Sequence, residues 1–295
     1  MKQLKKKLVN IVNKSKTLSI LHAIYLLIFR TNCITFVKYP AFKGWGLTTI
    51  TRTPWQDGGG HAITKNFSKV DRELKNFVQD KKFILSQFPQ MFPGVDEIKF
   101  LNELNWRHYI VYWSSNYAIK NTEAVHKNLA ECGVCDGLTI FYAINAAKDL
   151  NKTYSAYLYD AWDAMRDDLL MESEKDSSGE YSYLDMRATQ KNLSMFDEKT
   201  LIFNKGYIPQ SFEVAQNPER IVWLHIDLNA ALPTIHALDF FWEKLENGGV
   251  ILFDDYALPG YQDTQIAIEG WIKSKNGTLL HLPTGQAMIV KDKHL

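Results

Sequence analysis

Cysteine is scarce in this sequence, and neither sign of charge is in clear excess. The 295 residues include 3 cysteines, Cys33, Cys132 and Cys135, which are too few for a disulfide scaffold and favour a reducing compartment. The formal net charge is +1, which gives no indication of a nucleic-acid partner. Hydrophobic residues make up 46% and charged residues 23%, as in ordinary globular proteins. The length accommodates one large α/β domain with an appended segment, or two small domains.

The apolar run near the N-terminus is too short to cross a membrane. Residues 18–29, LSILHAIYLLIF, are nearly all apolar but fall short of the about 20 residues that a membrane span needs. Lysines and no acid precede this run. Residues 1–35 are therefore predicted to form a basic and apolar helix that packs on the domain or on another subunit. A membrane-surface helix and a targeting signal stay open, so the predicted location is cytoplasmic, either free or peripheral to the membrane.

Residues 36–104 are predicted to form a lid and a helical extension. Glycine and proline punctuate residues 36–66, as in FKGWG and PWQDGGGH, which is typical of a long loop. No Gly-Lys-Ser/Thr follows the DGGG, so a phosphate-binding loop is not favoured. From residue 67 the apolar spacing becomes helical, and the aromatic-rich stretch NWRHYIVYWSSNYAIKN predicts a further helix over residues 105–121.

Strands and helices alternate from residue 129 onward. This alternation predicts an α/β domain over residues 105–295, with a mostly parallel sheet and helices on both faces. One predicted helix covers residues 181–193, and another covers residues 232–247 and is ended by two glycines. The predicted strands are LAECGV, TYSAYLYD, KTLIFNK, IVWLHID and VILF, followed by the closing strands TLLHL and QAMIV.

Five acids lie at or just after the carboxyl ends of predicted strands. They are Asp136, Asp160, Asp227, Asp254 and Asp255. Ligands of open α/β sheets bind outside the carboxyl ends of the strands. Any one of these acids could instead cap a helix, but together they indicate a functional site at this edge.

The turn ECGVCDG, residues 131–137, joins a strand to a helix. Its glycines let a ligand approach the backbone, and Asp160 at the end of the next strand could hold both hydroxyls of a ribose. The two features together favour an adenosine-containing cofactor. Cys132 and Cys135 also form a C-x-x-C pair. A redox or zinc role is disfavoured because no second pair exists and a structural zinc needs four ligands.

Asp227, Asp254 and Asp255 follow two strands that are neighbours in such a sheet. Clustered carboxylates without a basic partner in the nearby sequence favour a hard divalent cation such as Mg²⁺. A bound cation would lower the pKa of a coordinated hydroxyl. His225 precedes Asp227 by two residues, so both side chains face the same side of the strand. His225 is a candidate base or ligand, the alternative being a hydrogen-bonded, half-buried histidine.

Over roughly residues 105–291 the sequence resembles the macrocin O-methyltransferase family. The resemblance is carried, in order, by LAECGVCDG, LYDAWDAM, FNKGYIPQSF, HIDLN, ENGGVILFDDY and LPTGQAMIVK. It implies a class I methyltransferase fold, which is Rossmann-like with a seven-stranded sheet, and S-adenosylmethionine and a divalent metal as cofactors.

The resemblance also implies a role for each candidate residue. The turn around Glu131, Gly133 and Asp136 would hold the methionine part of the cofactor, and Asp160 the ribose. Asp227, Asp254 and Asp255 would bind Mg²⁺, with Asp227 also acting as general base.

The sequence departs from this family at two places. Where the family usually has Asp-x-Asp-x-Tyr, this chain has Asp227-Leu-Asn229-Ala-Ala231, so one charge and one aromatic ring are missing. Asp136 stands where the family often has arginine. These departures affect the predicted substrate pocket. They leave open the alternative that the protein binds the cofactor but does not catalyse a reaction.

The resemblance therefore implies an O-methyltransferase that methylates a hydroxyl of a sugar or sugar-bearing small molecule, in natural-product or glycan modification. A membrane-associated, metal-dependent glycosyltransferase and a methyltransferase for phenolic, catechol-like acceptors are the alternatives. The predicted partner is a hydroxylated small molecule rather than a nucleic acid. Membrane-surface contact through residues 1–35 and homo-oligomer formation stay open.

Overall fold

The computed structural model describes residues 105–258, 260–282 and 284–292. The predicted segments 1–35 and 36–104 lie outside these described residues. Among the described helices, none has both the length and the hydropathy to cross a membrane.

The described residues form a seven-stranded sheet with the strand order β3-β2-β1-β4-β5-β7-β6. Strands β1 to β5 run parallel to one another, and β7 runs antiparallel to both β5 and β6. This confirms the predicted α/β class and the mostly parallel sheet of the class I methyltransferase fold. The strands are β1 Lys127–Cys132, β2 Tyr154–Asp160, β3 Leu201–Lys205, β4 Ile221–Ile226, β5 Leu245–Phe253, β6 Gly277–His281 and β7 Ala287–Lys291.

One described helix precedes the sheet, and the others lie between its strands. The first, α1, spans Asn105–Asn121, as the sequence predicts. Short 3₁₀ helices lie at Asp167–Leu169, Glu172–Ser177 and Glu198–Thr200. The remaining described helices are α2 Leu138–Asp149, α3 Met186–Asn192, α4 Ser211–Val214, α5 Ala231–Trp242 and α6 Gln262–Ile272.

The central strands are buried on both faces. All of β4 is buried, and Trp223 in β4 and Ile251 in β5 have no exposed surface. A strand covered by helices on both sides reads as a continuous apolar run, which IVWLHI and VILF do. Burying one large apolar side chain stabilises the folded state by about 1.5–3 kcal/mol. The buried strands β4 and β5 therefore hold the acids that follow their carboxyl ends in fixed positions.

Two predicted helices are shorter in the structure. The helix predicted over residues 232–247 ends at Trp242, and β5 begins at Leu245 rather than at Val250. Glycine is required within this strand because a Cβ on Gly249 would lie 2.8 Å from the Val222 carbonyl oxygen. The helix predicted from Tyr181 begins only at Met186. The preceding Asp185 caps it by accepting a hydrogen bond from the Arg187 amide.

Candidate active site

The turn after β1 is held tightly against the end of β4. The Asp227 amide donates to the Cys132 carbonyl at 2.8 Å, and the Gly133 amide donates to the Tyr159 carbonyl at 2.8 Å. Gly133 has a φ of +85°, and a Cβ there would lie 1.8 Å from the Asp227 carbonyl oxygen. Only glycine fits this crossing. Gly133 therefore has a packing role, whether or not it also contacts a cofactor.

Asp160 at the end of β2 organises the same turn. One carboxylate oxygen accepts from the Val134 amide at 2.7 Å and the Cys135 amide at 2.8 Å, and the other accepts from the Trp162 amide at 2.6 Å. Burial raises the pKa of Asp160, and these three hydrogen bonds oppose the rise. A carboxylate has about four lone-pair positions, so roughly one remains for a ribose hydroxyl.

Trp162 and helix α3 close the other side of the turn. The buried indole N–H of Trp162 donates to Thr189 Oγ1 at 2.9 Å and is 3.1 Å from the Cys135 carbonyl oxygen. The Thr189 hydroxyl donates to that carbonyl, and the Asn192 amide donates to the Asp136 carbonyl at 3.0 Å. The sequence did not indicate Trp162, Thr189 or Asn192 as part of the site. They contact the turn from the loop after β2 and from α3, and no local motif marks such long-range contacts.

Asp136 and the two cysteines have local explanations. The Asp136 carboxylate accepts from the Leu138 amide at 3.0 Å, so it caps the start of α2, and burial raises its pKa. Cys132 and Cys135 are free thiols. Burial raises the pKa of both thiols well above the ordinary range, which makes them poor nucleophiles and poor redox groups.

The structure brings together the three acids at the ends of β4 and β5. Oxygen atoms of Asp227, Asp254 and Asp255 all lie within 4.8 Å of one another, and the Asp254 amide donates to the Ile226 carbonyl at 3.0 Å. The hydrogen bond ties the two strand ends together. The acids are therefore fixed by the sheet itself, at the edge that the topology predicts.

The cluster has a basic partner that the sequence interpretation missed. Arg107 of α1 forms an ion pair with the Asp254 carboxylate, and its Nη2 is 3.9 Å from Asp255 Oδ1. The guanidinium also donates to the carbonyls of Asp254 at 2.9 Å and Thr284 at 3.1 Å. The premise that these carboxylates have no basic partner is wrong, because α1 brings one from far away in the sequence.

The three carboxylates differ in their affinity for protons. Burial and the charges of Asp254 and Asp255 raise the pKa of Asp227 well above its ordinary value. Burial and the charge of Asp254 raise the pKa of Asp255 to about 6. Burial would also raise the pKa of Asp254, but Arg107 and His225 outweigh it and hold that pKa below the ordinary value. Arg107 thus neutralises one carboxylate and leaves two that a divalent cation could compensate.

His225 lies inside the sheet and not in an open pocket. It is fully buried, and its Nδ1 is 2.8 Å from Glu131 Oε1. Its Nε2 is 3.8 Å from Asp254 Oδ1, which is too far for a hydrogen bond. Burial lowers the pKa of His225, but the two carboxylates dominate and raise it to about 10. An imidazolium held in this way is a poor general base, which favours a positioning role.

Glu131 is the other member of this buried pair. It has no exposed surface, and burial raises its pKa to about 7 although His225 opposes the rise. Its predicted contact with the cofactor stays a prediction, and the only described partner of its carboxylate is His225.

Asn229 connects Asp227 to two tyrosines that the sequence interpretation did not select. Its Oδ1 accepts from the Tyr261 hydroxyl at 2.7 Å and the Tyr181 hydroxyl at 3.3 Å. Its Nδ2 donates to Asp227 Oδ1 at 3.2 Å. Asn229 adopts φ +54°, a left-handed conformation that asparagine tolerates better than most residues. Two phenols from other elements thus lie beside the acids, although Ala231 replaces the tyrosine of the family motif.

Residues 130–256 match the family model described as a methyltransferase domain. Among solved structures, the O-methyltransferase NovP is similar with a TM-score of 0.54 and 14% sequence identity, over 63% of this chain and 80% of NovP. The calicheamicin methyltransferase CalS11 gives a TM-score of 0.48 and 13% identity, over 77% of this chain and 93% of CalS11. No curated protein sequence matches the chain.

The family match and the similarity to NovP agree with the fold. The similarity to NovP shows the fold, and the matched residues 130–256 run from β1 to just past the acids that follow β5. Both the turn after β1 and the acid cluster therefore lie within the matched segment. The match and the fold together support a methyltransferase domain of the class I fold in this chain.

Proposed function

We propose that this protein is an S-adenosylmethionine-dependent O-methyltransferase of the macrocin type, which uses a divalent cation to activate a hydroxyl of a sugar or sugar-bearing small molecule. The observation that carries the proposal is the junction of two features. A hydrogen bond from the Asp227 amide to the Cys132 carbonyl joins the acid cluster to the turn proposed to hold the cofactor. A methyl donor on the turn would lie beside an acceptor held at the acids.

The donor set fits a hard divalent cation. Three buried or half-buried carboxylates converge, whereas Arg107 supplies the charge for only one of them. Burial and, after it, the repulsion between the neighbouring carboxylates raise the pKa values of Asp227 and Asp255, and a bound cation would relieve both effects. Asp227, Asp254 and Asp255 would surround the cation, which when bound would polarise the acceptor hydroxyl and ease its loss of a proton.

The chain's own residues would position the acceptor and remove its proton. In the reaction, a bond forms between the acceptor oxygen and the methyl carbon while the bond from sulfur to that carbon breaks. The hydroxyl proton would pass to Asp227, whose pKa burial and the neighbouring carboxylates raise well above that of an ordinary aspartate. Correct placement of the reacting groups can supply up to about 7–11 kcal/mol of the barrier reduction. Asn229 and its two tyrosines would keep the Asp227 carboxylate oriented.

The first experiment is a calorimetric titration of the full chain with S-adenosylmethionine, in Mg²⁺ and then in EDTA. We expect cofactor binding in both conditions, together with Mg²⁺ binding that is lost in Asp227→Asn. Asp239→Asn is a matched control, because Asp239 is exposed on α5 and its bond from Trp271 can be kept by an amide oxygen. Absence of cofactor binding in every condition would refute the proposal. Binding of a nucleotide sugar in its place would favour a glycosyltransferase.

A further inference from the structure

The guanidinium of Arg107 is fixed beside the acid cluster by more than its charge. Arg107 is buried, with 7% of its surface exposed. Besides the ion pair with Asp254, it donates to two backbone carbonyls, those of Asp254 and Thr284. Carbonyls of the backbone cannot move away without disturbing the segments after β5 and before β7. The backbone contacts therefore fix the positive charge of Arg107 beside Asp254.

Asp254 is engaged on both of its carboxylate oxygens. Arg107 contacts Oδ2, and the side-chain amide of Gln286 donates to Oδ1 at 3.0 Å. Gln286 is itself fully buried and accepts from the Thr284 hydroxyl at 2.9 Å. By contrast, the described hydrogen bond to the Asp227 carboxylate is one long bond from Asn229 at 3.2 Å. The three acids are therefore unequal as ligands, although their oxygen atoms all lie within 4.8 Å of one another.

We propose that Arg107 is a positioning residue that reserves Asp254, so that Asp227 and Asp255 are the direct ligands of the divalent cation and the affinity of the site for that cation is low. This role of Arg107 rests on the proposed function. Mg²⁺ is commonly bound by one or two carboxylates and keeps its other positions for water or substrate. A fixed positive charge within a few ångströms also repels a divalent cation. The acceptor's oxygens would then supply ligands that Asp254 does not.

The test compares two replacements of Arg107 that can both donate hydrogen bonds but differ in charge. Arg107→Gln is neutral and Arg107→Lys is positive, and both keep a side-chain N–H donor. Binding of Mn²⁺, as a probe for Mg²⁺, is followed in the full chain by the electron paramagnetic resonance signal of the free ion. We expect Arg107→Gln to bind Mn²⁺ about tenfold more tightly than the wild type, because a nearby repulsive charge is removed. Arg107→Lys is expected to stay close to the wild type.

A purely structural role of Arg107 gives a different result. Both variants would then lose Mn²⁺ affinity together, and this outcome, or equal affinity in the wild type and Arg107→Gln, would overturn the proposal. Arg107→Met serves as a second neutral variant if Arg107→Gln does not fold, as judged by circular dichroism and cofactor binding. If the wild type and all variants bind S-adenosylmethionine but none binds Mn²⁺, the metal part of the proposed function fails as well. If the wild type binds Mn²⁺ and the neutral variants do not gain affinity, only the role of Arg107 fails.

Discussion

His225 Nδ1 lies 2.8 Å from Glu131 Oε1, and the two residues are register partners on the neighbouring strands β4 and β1. Both side chains are fully buried. A buried ion pair is kept only when its partners satisfy each other, since either charge alone is costly. The pair is therefore part of the sheet, and His225 Nε2 lies 3.8 Å from Asp254 Oδ1 at the edge of the acid cluster.

Glu131→Gln is expected to lower the pKa of His225 from about 10, because a neutral amide replaces one of the two carboxylates that stabilise the imidazolium. The change also tests the predicted contact of Glu131 with the cofactor, since a purely buried role, in keeping with its lack of exposed surface, would leave S-adenosylmethionine affinity close to that of the wild type. The measurements are a histidine NMR titration and cofactor calorimetry. Loss of cofactor affinity with an unchanged His225 titration would instead place Glu131 in direct contact with the cofactor.

Asp160→Asn is expected to weaken both folding and cofactor binding. Asparagine has one acceptor oxygen, so it cannot serve the three amides of Val134, Cys135 and Trp162 together. An unsatisfied buried donor costs about 1–3 kcal/mol, which urea unfolding would measure. Asp163→Asn is a matched control, because Asp163 is exposed and accepts only from the adjacent Ala164 amide among its described bonds. Wild-type cofactor affinity in Asp160→Asn would remove Asp160 from the cofactor site.

Much of the fold could be predicted from the sequence because the strands and helices have strong local patterns. The aromatic-rich stretch over residues 105–121 is helical from end to end, and the apolar run IVWLHI is a buried strand. The start of β5 could not be predicted, since Leu245 also fits the apolar stripe of the preceding helix. Only the pairing of Ile221 with Leu245 in the sheet decides between the two states.

Part of the candidate site could likewise be predicted from the sequence, and part could not. The convergence of Asp227, Asp254 and Asp255 could be predicted, because the carboxyl ends of neighbouring parallel strands meet at one edge. The role of Arg107 could not, because it reaches Asp254 across 147 residues of sequence from a helix whose pattern indicates only packing. Such long-range partners have no local sequence signal.

Asn229→Asp is expected to destabilise the free protein and to increase its stabilisation by Mg²⁺. The change removes the N–H donor to Asp227 and adds a like charge about 3.2 Å from it. The added charge would strengthen cation binding at the site proposed above. Thermal unfolding in EDTA and in Mg²⁺ measures both effects.

Asn229→Gly is the control for this change. Glycine tolerates the φ of +54° at this position and removes the hydrogen bonds without adding charge. It should destabilise the free protein but should not enlarge the Mg²⁺ effect. Equal Mg²⁺ shifts in Asn229→Asp and in the wild type would contradict the predicted charge effect.

The buried imidazole of His108 is expected to make the folded protein less stable in acid. It is fully buried and stacked on Tyr142 with ring centroids 4.6 Å apart, and burial lowers its pKa from 6.5 to about 3. Above pH 6.5 the imidazole is neutral in both the folded and the unfolded chain. As the pH falls from 6.5 towards 3, the unfolded chain gains a proton that the folded chain does not, so folding becomes less favourable.

His108→Phe keeps an aromatic ring against Tyr142 and removes the titrating group. Between pH 7 and pH 5 the wild type should lose about 2 kcal/mol more of its unfolding free energy than the variant, at 1.36 kcal/mol per unit of pKa difference. Urea unfolding of both proteins at the two pH values, in EDTA, measures this difference. Asp255, whose raised pKa acts in the opposite direction over the same range, is present in both proteins and cancels. Parallel pH profiles would mean that folded His108 takes up a proton as readily as a solvated histidine.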